Sequence, residues 1–345
     1  MIDTHVHYGC EVLRNDLKDI ERQDRKAGIE KTLCLPMSYE DNFTMMQNTR
    51  RYADMAYAVG IHPLYVPSLP PDGNSALALK KEIELYRRSL DELTDFQVMI
   101  FTLSSFIEKH AECVAAIGET GIDIHNDAGK NNLRMQKISF REHIRLAQAH
   151  KLPLILHLRG ENALEEALSV MQQGQFRNIH YRGIWHCFHG TRREMEKMLE
   201  ISDGEFGFGI GGIITYPERG AVLRDNLRSW NKAEILSKIV LETDAPFLAP
   251  QNAGGGSEGR SLTESERGVR NISANLAEVV SVLAGTLKVS PEEIIRHTTE
   301  NAYRILHLER YHTDIDLFDD HTDDAYFDYL EKEVLPVSSE TPGET

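Results

Sequence analysis

Six residues able to ligate a divalent cation stand at or near the ends of successive apolar runs: His5 and His7, Glu119, His157, His186 and Asp244. The pair lies in Met1-Ile-Asp-Thr-His-Val-His7. The others lie in Ala116-Ile-Gly-Glu-Thr-Gly-Ile-Asp123, Leu154-Ile-Leu-His-Leu-Arg159, Gly183-Ile-Trp-His186 and Ile239-Val-Leu-Glu-Thr-Asp244. Imidazole and carboxylate groups delivered by strand ends suit one or two cations such as Zn, Mn or Mg. Such a cation lowers the pKa of bound water and so makes a nucleophile at neutral pH. The pattern therefore points to a hydrolase. Residues two apart on a strand face the same way, so His5 and His7 can grip one ion together, with Asp244 as a third ligand. Each has a plainer alternative: a polar strand end for the pair, a salt-bridged barrel acid for Glu119, a turn cap before Pro246 for Asp244.

Ligands so far apart in sequence need a scaffold that gathers strand ends. Eight apolar, often β-branched runs recur near Ile2–His7, Lys31–Met37, Tyr57–Leu64, Val114–Ile122, Leu152–His157, Gly183–His186, Phe206–Ile214 and Ile239–Thr243. Several are continuous rather than alternating, as in strands buried on both faces of a parallel sheet. Segments of helical periodicity separate most of them: Asn132–His150, with Leu133, Ile138, Ile144, Leu146 and Ala147 near one face, then Arg193–Ile201, Ala221–Lys238 and Ser261–Leu287. Eight strand–helix units predict an α/β protein with a (β/α)8 TIM barrel, whose catalytic groups sit at the C-terminal strand ends. All six ligands fall there.

Length permits one large domain, expected over residues 1–310. Three stretches exceed a minimal barrel. Pro67–Pro71 opens an extended third connection with a helix around Ala76–His110, a Gly-rich loop spans Gln251–Gly259, and an acidic C-terminal tail covers 311–345. That tail holds eleven acidic residues and one lysine, so most of the formal charge of −16 belongs to it and says little about what the site accepts. Its last ten or so residues are expected to be disordered, with one short helix at Asp324–Leu335. Four scattered cysteines without a Cys-x-x-Cys pair argue against a zinc ribbon or a disulfide framework and fit a cytoplasmic protein. The metal motif starts too early for a signal peptide, and no apolar stretch spans a bilayer, so no membrane is expected.

In order, Asp3-x-His-x-His7, Gly60-Ile-His-Pro63, Ala116–Asp123, His157-x-Arg159, His186-Cys-Phe-His-Gly190, Leu241-Glu-Thr-Asp-Ala-Pro246 and Thr298-Thr-Glu-Asn-Ala-Tyr-Arg304 resemble the TatD family of metal-dependent hydrolases. The resemblance runs from residue 1 to about 308. It implies a TIM barrel, two divalent metal ions (Mg, Mn or Zn) and phosphodiester hydrolysis, as a DNase or 3′–5′ exonuclease on single-stranded DNA or DNA ends. It also implies that Glu119 bridges the ions, that His157 and His186 complete the second, and that Asp244 can accept a proton from the attacking water. The chain departs from the family pattern at its long third connection, at His189-Gly190, at Arg270-Asn-Ile-Ser273 and in its tail. These departures bear on substrate choice more than on metal binding.

Around the ligands, Arg159 shares the face of His157 and suits bidentate phosphate binding, a salt bridge to Glu119 or Asp123 being the alternative. His62 is placed to donate to phosphate, unless it is a hydrogen-bonded turn histidine. Asp123 is expected to support a ligand, Glu242 to orient a ligand histidine or touch an extra metal, and His189 to contact substrate or stand exposed. Tyr216 and Trp185 offer stacking surface, or packing. His143, His150, His180, His297 and His307 read as surface or packing residues. The clustered glycines of Gly207-Phe-Gly-Ile-Gly-Gly212 read as close packing at the barrel mouth. Two other functions stay open: hydrolysis of an ester or amide, such as a D-aminoacyl-tRNA deacylase, and a subunit of a larger nucleic-acid-processing assembly. The tail motivates the second, since it could bind a basic protein partner.

Overall fold

The computed structural model describes residues 1–67, 95–251 and 270–310, apart from positions 11, 14, 50, 51 and 53. Eight parallel strands follow one another around the sheet in sequence order. They are β1 (Ile2–Val6), β2 (Lys31–Cys34), β3 (Met55–Val59), β4 (Val114–Asp123), β5 (Leu154–Arg159), β6 (Gly183–Trp185), β7 (Phe206–Ile210) and β8 (Ile239–Leu241). The ring comes back on itself where Val6 bridges Ala245. There His7 N donates to Ala245 O at 2.7 Å, and Asp244 N to His5 O at 2.9 Å. This is the expected (β/α)8 barrel.

The helices are α1 (Leu17–Lys26), α2 (Asp41–Thr49), α3 (Asp95–Lys109), α4 (Asp127–Asn131), α5 (Leu133–His150), α6 (Ala163–Met171), α7 (Arg192–Ile201), α8 (Ala221–Arg228), α9 (Lys232–Leu236), α10 (Leu276–Leu287) and α11 (Pro291–Leu306). Seven of the eight strands are buried at every position. That is why their sequences read as unbroken apolar runs. Inside, Ile2, Leu33, Ala56, Ala116, Ile155, Ile184 and Val240 form one cluster with Ala302, Ile305 and Leu306 of α11.

Several boundaries differ from expectation for local reasons. β7 stops at Ile210 because the chain turns at Gly211–Gly212, where a Cβ on Gly212 would lie 2.0 Å from Leu248 O. β3 ends before the Pro63–Tyr65 turn, whose proline lacks the N–H a ladder needs. Ala221–Lys238 is two helices, the second begun by Asn231, whose side chain accepts from Ala233 N at 3.0 Å. Of the helix expected over Ser261–Leu287, residues 261–269 lie outside the described residues, and α10 begins at Leu276. Before it, Asn271 N is bound to Pro246 O and Ser273 N to the Tyr8 hydroxyl, and Ser273–Asn275 forms a short 3-10 turn. Leu133 of α5 is half-buried, while Phe140 and His143 are fully buried. The loop at 252–259, most of the third connection at 68–94 and the segment 311–345 lie outside the described residues. No described helix is long and apolar enough to cross a membrane.

Candidate metal centre

The strand ends bring the six expected ligands together. β1 presents His5 and His7 on one face, their Nε2 atoms 3.3 Å apart. Glu119 of β4 turns its two oxygens to different neighbours. Its Oε1 lies 3.0 Å from His5 Nε2 and 3.4 Å from His7 Nε2. Its Oε2 lies 3.0 Å from His157 Nδ1 and 3.7 Å from His62 Nε2. Asp244 Oδ1 is 3.3 Å from His7 Nε2 and 3.8 Å from both His5 Nε2 and His186 Nε2. The His186 ring stacks on His5 with centroids 3.5 Å apart and stands 6.1 Å from His157.

Groups behind these side chains aim them. Nδ1 of His7 donates to Leu35 O at 3.0 Å, which turns Nε2 inward. Asp123 Oδ2 meets His157 Nε2 at 2.9 Å, and its Oδ1 holds His125 Nδ1 at 2.6 Å. Asp123 thus fixes the His157 ring from behind, with Nδ1 toward Glu119. Glu242 accepts from Cys187 N at 2.5 Å and lies 3.2 Å from His186 Nδ1. A Cβ on Gly209 would fall 1.9 Å from Glu242 Oε2, so the glycines of β7 clear space for this carboxylate. Asp244 adopts φ +59°, a left-handed conformation costly for a non-glycine residue. Asn271 holds it there by donating to Thr243 O at 2.9 Å and Phe247 O at 2.8 Å, one carbonyl on each side.

Charge in the cluster is strongly coupled. Burial raises the Glu119 carboxyl, but His5, His62 and His186 outweigh it and hold the group well below the usual carboxylate range. For His186 burial lowers the pKa, yet Glu242, Asp244 and Glu119 lift it to about 9. His7 is likewise raised against its burial by Asp244 and Glu119. His62 goes the other way, to about 3, through burial and then His157. His62 is therefore neutral at pH 7. Its Nδ1 accepts from Leu64 N at 3.1 Å, so its proton sits on Nε2, 3.3 Å from His157 Nδ1. It is both the turn histidine and an inward donor.

The donor set fits a divalent cation. Among the described residues His5 Nδ1 and Glu242 Oε2 are buried without hydrogen-bond partners, and His186 Nδ1 has only the 3.2 Å approach to Glu242 Oε1, a costly arrangement unless something else satisfies them. Three sets of potential ligand atoms converge: His5, His7 and Glu119; His5, His186 and Glu242; His62, Glu119 and His157. Imidazole with carboxylate suits Zn or Mn and admits Mg.

The remaining expectations sort themselves by exposure. Arg159, the last residue of β5, is exposed and has no ion pair among the described residues. His189 is exposed, with Nδ1 on Cys187 O at 2.9 Å. Trp185 is buried against Phe188 and Phe208 and is packing, not a stacking surface. The Tyr216 hydroxyl is committed to Ala249 O at 2.6 Å.

Sequence reasoning missed three positioning groups. Asp3, buried two residues before His5, accepts from His5 N, Thr243 N, Thr243 Oγ1 and Ser273 Oγ, and so ties β1 to the end of β8. Its place in the first motif was the available signal. The roles of Asn271 and His125 were not legible, because each acts through a contact that only the fold makes, whereas the close packing read from the glycines around Gly209 is what clears space for Glu242.

A family model described as TatD related DNase matches residues 2–307. An uncharacterized metal-dependent hydrolase of Buchnera aphidicola is 24% identical over 318 residues, covering 91% of this chain and 99% of that one. Human deoxyribonuclease TATDN3 is 25% identical over 314 residues, 88% of this chain and 94% of its own. The crystal structure of YjjV, a TatD homolog of Escherichia coli, superposes with a TM-score of 0.66 at 23% identity, covering 89% and 98%. The chain belongs to the TatD family of metal-dependent hydrolases.

Proposed function

We propose that the protein is a metal-dependent phosphodiesterase that removes nucleotides from the 3′ ends of single-stranded or frayed DNA. The observation carrying this reading is the Glu119 carboxylate, whose two oxygens serve separate histidine sets. His5, His7, Asp244, His157, His186 and Glu119 would together hold two divalent cations. Two such ions activate water and neutralise charge developing on a phosphoryl group.

The chain's own residues do the rest. The Nε2–H of His62 donates to a non-bridging phosphate oxygen. Arg159, exposed and without an ion pair among the described residues, grips the same phosphate with its planar fork. Burial raises Asp244, but His186 and His7 hold it below the usual carboxylate range, so it is ionised at neutral pH. It takes the proton of the attacking water as oxygen bonds to phosphorus and the bond to the 3′ oxygen of the preceding nucleotide breaks. Asp123 and Glu242 keep His157 and His186 aimed. The name of TATDN3, a deoxyribonuclease, supports DNA as the substrate class. Segment 311–345 is given no part in the reaction, since every residue of the centre lies between 5 and 244.

The test is cleavage of end-labelled single-stranded DNA with Mg or Mn, using wild type, Glu119→Ala and Asp244→Ala. A ladder shortening from the 3′ end, lost in both variants and on chelation, is expected. No cleavage by protein with bound divalent metal refutes the reading and favours an ester or amide substrate.

A further inference from the structure

The described residues bury almost all their large apolar side chains. The large apolar side chains that stand exposed among them are Val12, Leu64, Tyr65, Phe101 and Val222. Leu64 and Tyr65 are consecutive, and they stand on the turn that follows β3 at the mouth of the barrel. Tyr65 is 49% exposed. Its ring meets His62 edge to face, with centroids 5.9 Å apart and planes at 79°. His62 Nε2 in turn lies 3.7 Å from Glu119 Oε2 and 3.3 Å from His157 Nδ1.

The turn is rigid without help from the tyrosine side chain. Pro63 is buried at its first position, and Leu64 N donates to His62 Nδ1. Tyr65 N donates to His62 O at 2.9 Å. Asn132 Nδ2 then ties down the carbonyl of the buried Val66 at 2.9 Å. A tyrosine serving the core would be covered, and one serving a hydrogen bond would have its hydroxyl engaged. The Tyr65 hydroxyl has no partner among the described residues. What the turn achieves is to hold an aromatic face in solvent beside the proposed phosphate donor. Arg159 stands at the end of β5, across β4 from this turn. The other aromatic candidates are engaged elsewhere: Trp185 is buried in the core, and the half-buried Tyr216 ring already carries the Arg219 guanidinium 5.8 Å from its centroid.

We infer that Tyr65 is the platform on which the base of the terminal nucleotide stacks while its phosphate is held by His62 and Arg159. The inference rests on the phosphodiesterase reading. Every nucleobase has a π face, so the platform gives affinity with little sequence preference. It requires the ring but not the hydroxyl.

The experiment is steady-state cleavage of a labelled oligothymidylate by wild type, Tyr65→Ala and Tyr65→Phe with Mg or Mn. A second substrate ends in a tetrahydrofuran nucleotide that lacks the terminal base. Losing a base–aromatic stack is expected to raise KM about 5- to 100-fold in Tyr65→Ala, with kcat little changed. Tyr65→Phe restores the wild-type KM. On the base-free end wild type already shows the raised KM, and Tyr65→Ala adds no further rise. Equal losses on both substrates mean the side chain only shapes the turn, and they overturn the inference. So does an unchanged KM on the base-bearing strand while wild type is active, an outcome that leaves the phosphodiesterase reading standing. Absence of cleavage by wild type removes both.

Discussion

His143 makes folding depend on pH in a calculable way. The residue is fully buried in α5, with Nε2 accepting from Ile61 N at 3.0 Å and Nδ1 donating to Ser139 O at 2.7 Å. Both bonds together require the neutral ring. Burial pushes its pKa down to about 4, against the Ser139 carbonyl, which favours the proton. In the unfolded chain the ring titrates near its ordinary value of 6.5. Between pH 6.5 and 4 the unfolded state therefore binds a proton that the folded state does not. The stability tied to this residue is complete above about pH 6.5 and is lost as pH falls toward 4. The loss reaches about 2 kcal/mol at pH 5 and approaches about 3.5 kcal/mol in the limit, at about 1.4 kcal/mol per pKa unit. Urea denaturation of wild type and His143→Gln from pH 8 to 5 isolates the effect. Glutamine retains a donor and an acceptor but does not titrate, and contributions from the metal centre cancel in the difference. The stability gap should shift by about 2 kcal/mol in the variant's favour over that range. A gap that stays flat with pH refutes the reasoning. Because Ile61 adjoins His62, protonation should also loosen the turn that presents the phosphate donor.

Two substitutions test the support of the centre. Asn271→Ala removes two donated bonds from a fully buried side chain and leaves the carbonyls flanking Asp244 unpaired. Denaturant unfolding should show a loss of about 2 kcal/mol, and calorimetric titration should show weaker metal binding; unchanged metal affinity would remove Asn271 from its positioning role. Gly209→Ala sets a methyl 1.9 Å from Glu242 Oε2 and must push that carboxylate off Cys187 N and away from His186. It should cost about 1–3 kcal/mol and reduce metal-dependent activity. Gly285→Ala in α10 is the control. Nothing lies within 4 Å of its added carbon, so it should stabilise by a few tenths to about 1 kcal/mol. Equal behaviour of the two glycine variants would contradict the close-packing account of β7.

The order of the strands and the identity of the inward-facing groups are legible in the amino-acid sequence. Period-two geometry puts His5 and His7 on one face. Continuous apolar runs mark strands covered on both sides, and a parallel barrel delivers its C-terminal strand ends to one rim. Those regularities are local, so a linear sequence displays them. Strand lengths are overstated by the apolar runs where a distant contact decides the turn, as at Gly212 against Leu248 O. The support of the centre is illegible for the same reason. Asn271 matters because it reaches carbonyls 28 and 24 positions away, and His143 because its helix brings it to Ile61, 82 positions earlier. Exposure likewise separates Tyr65, Tyr216 and Trp185, which are equivalent as aromatic letters. Residue type and spacing determined which atoms could hold a metal. Only the tertiary structure decided which oxygens of Glu119 face which rings and where an aromatic surface stays open, because both depend on side chains that meet through the closure of the barrel.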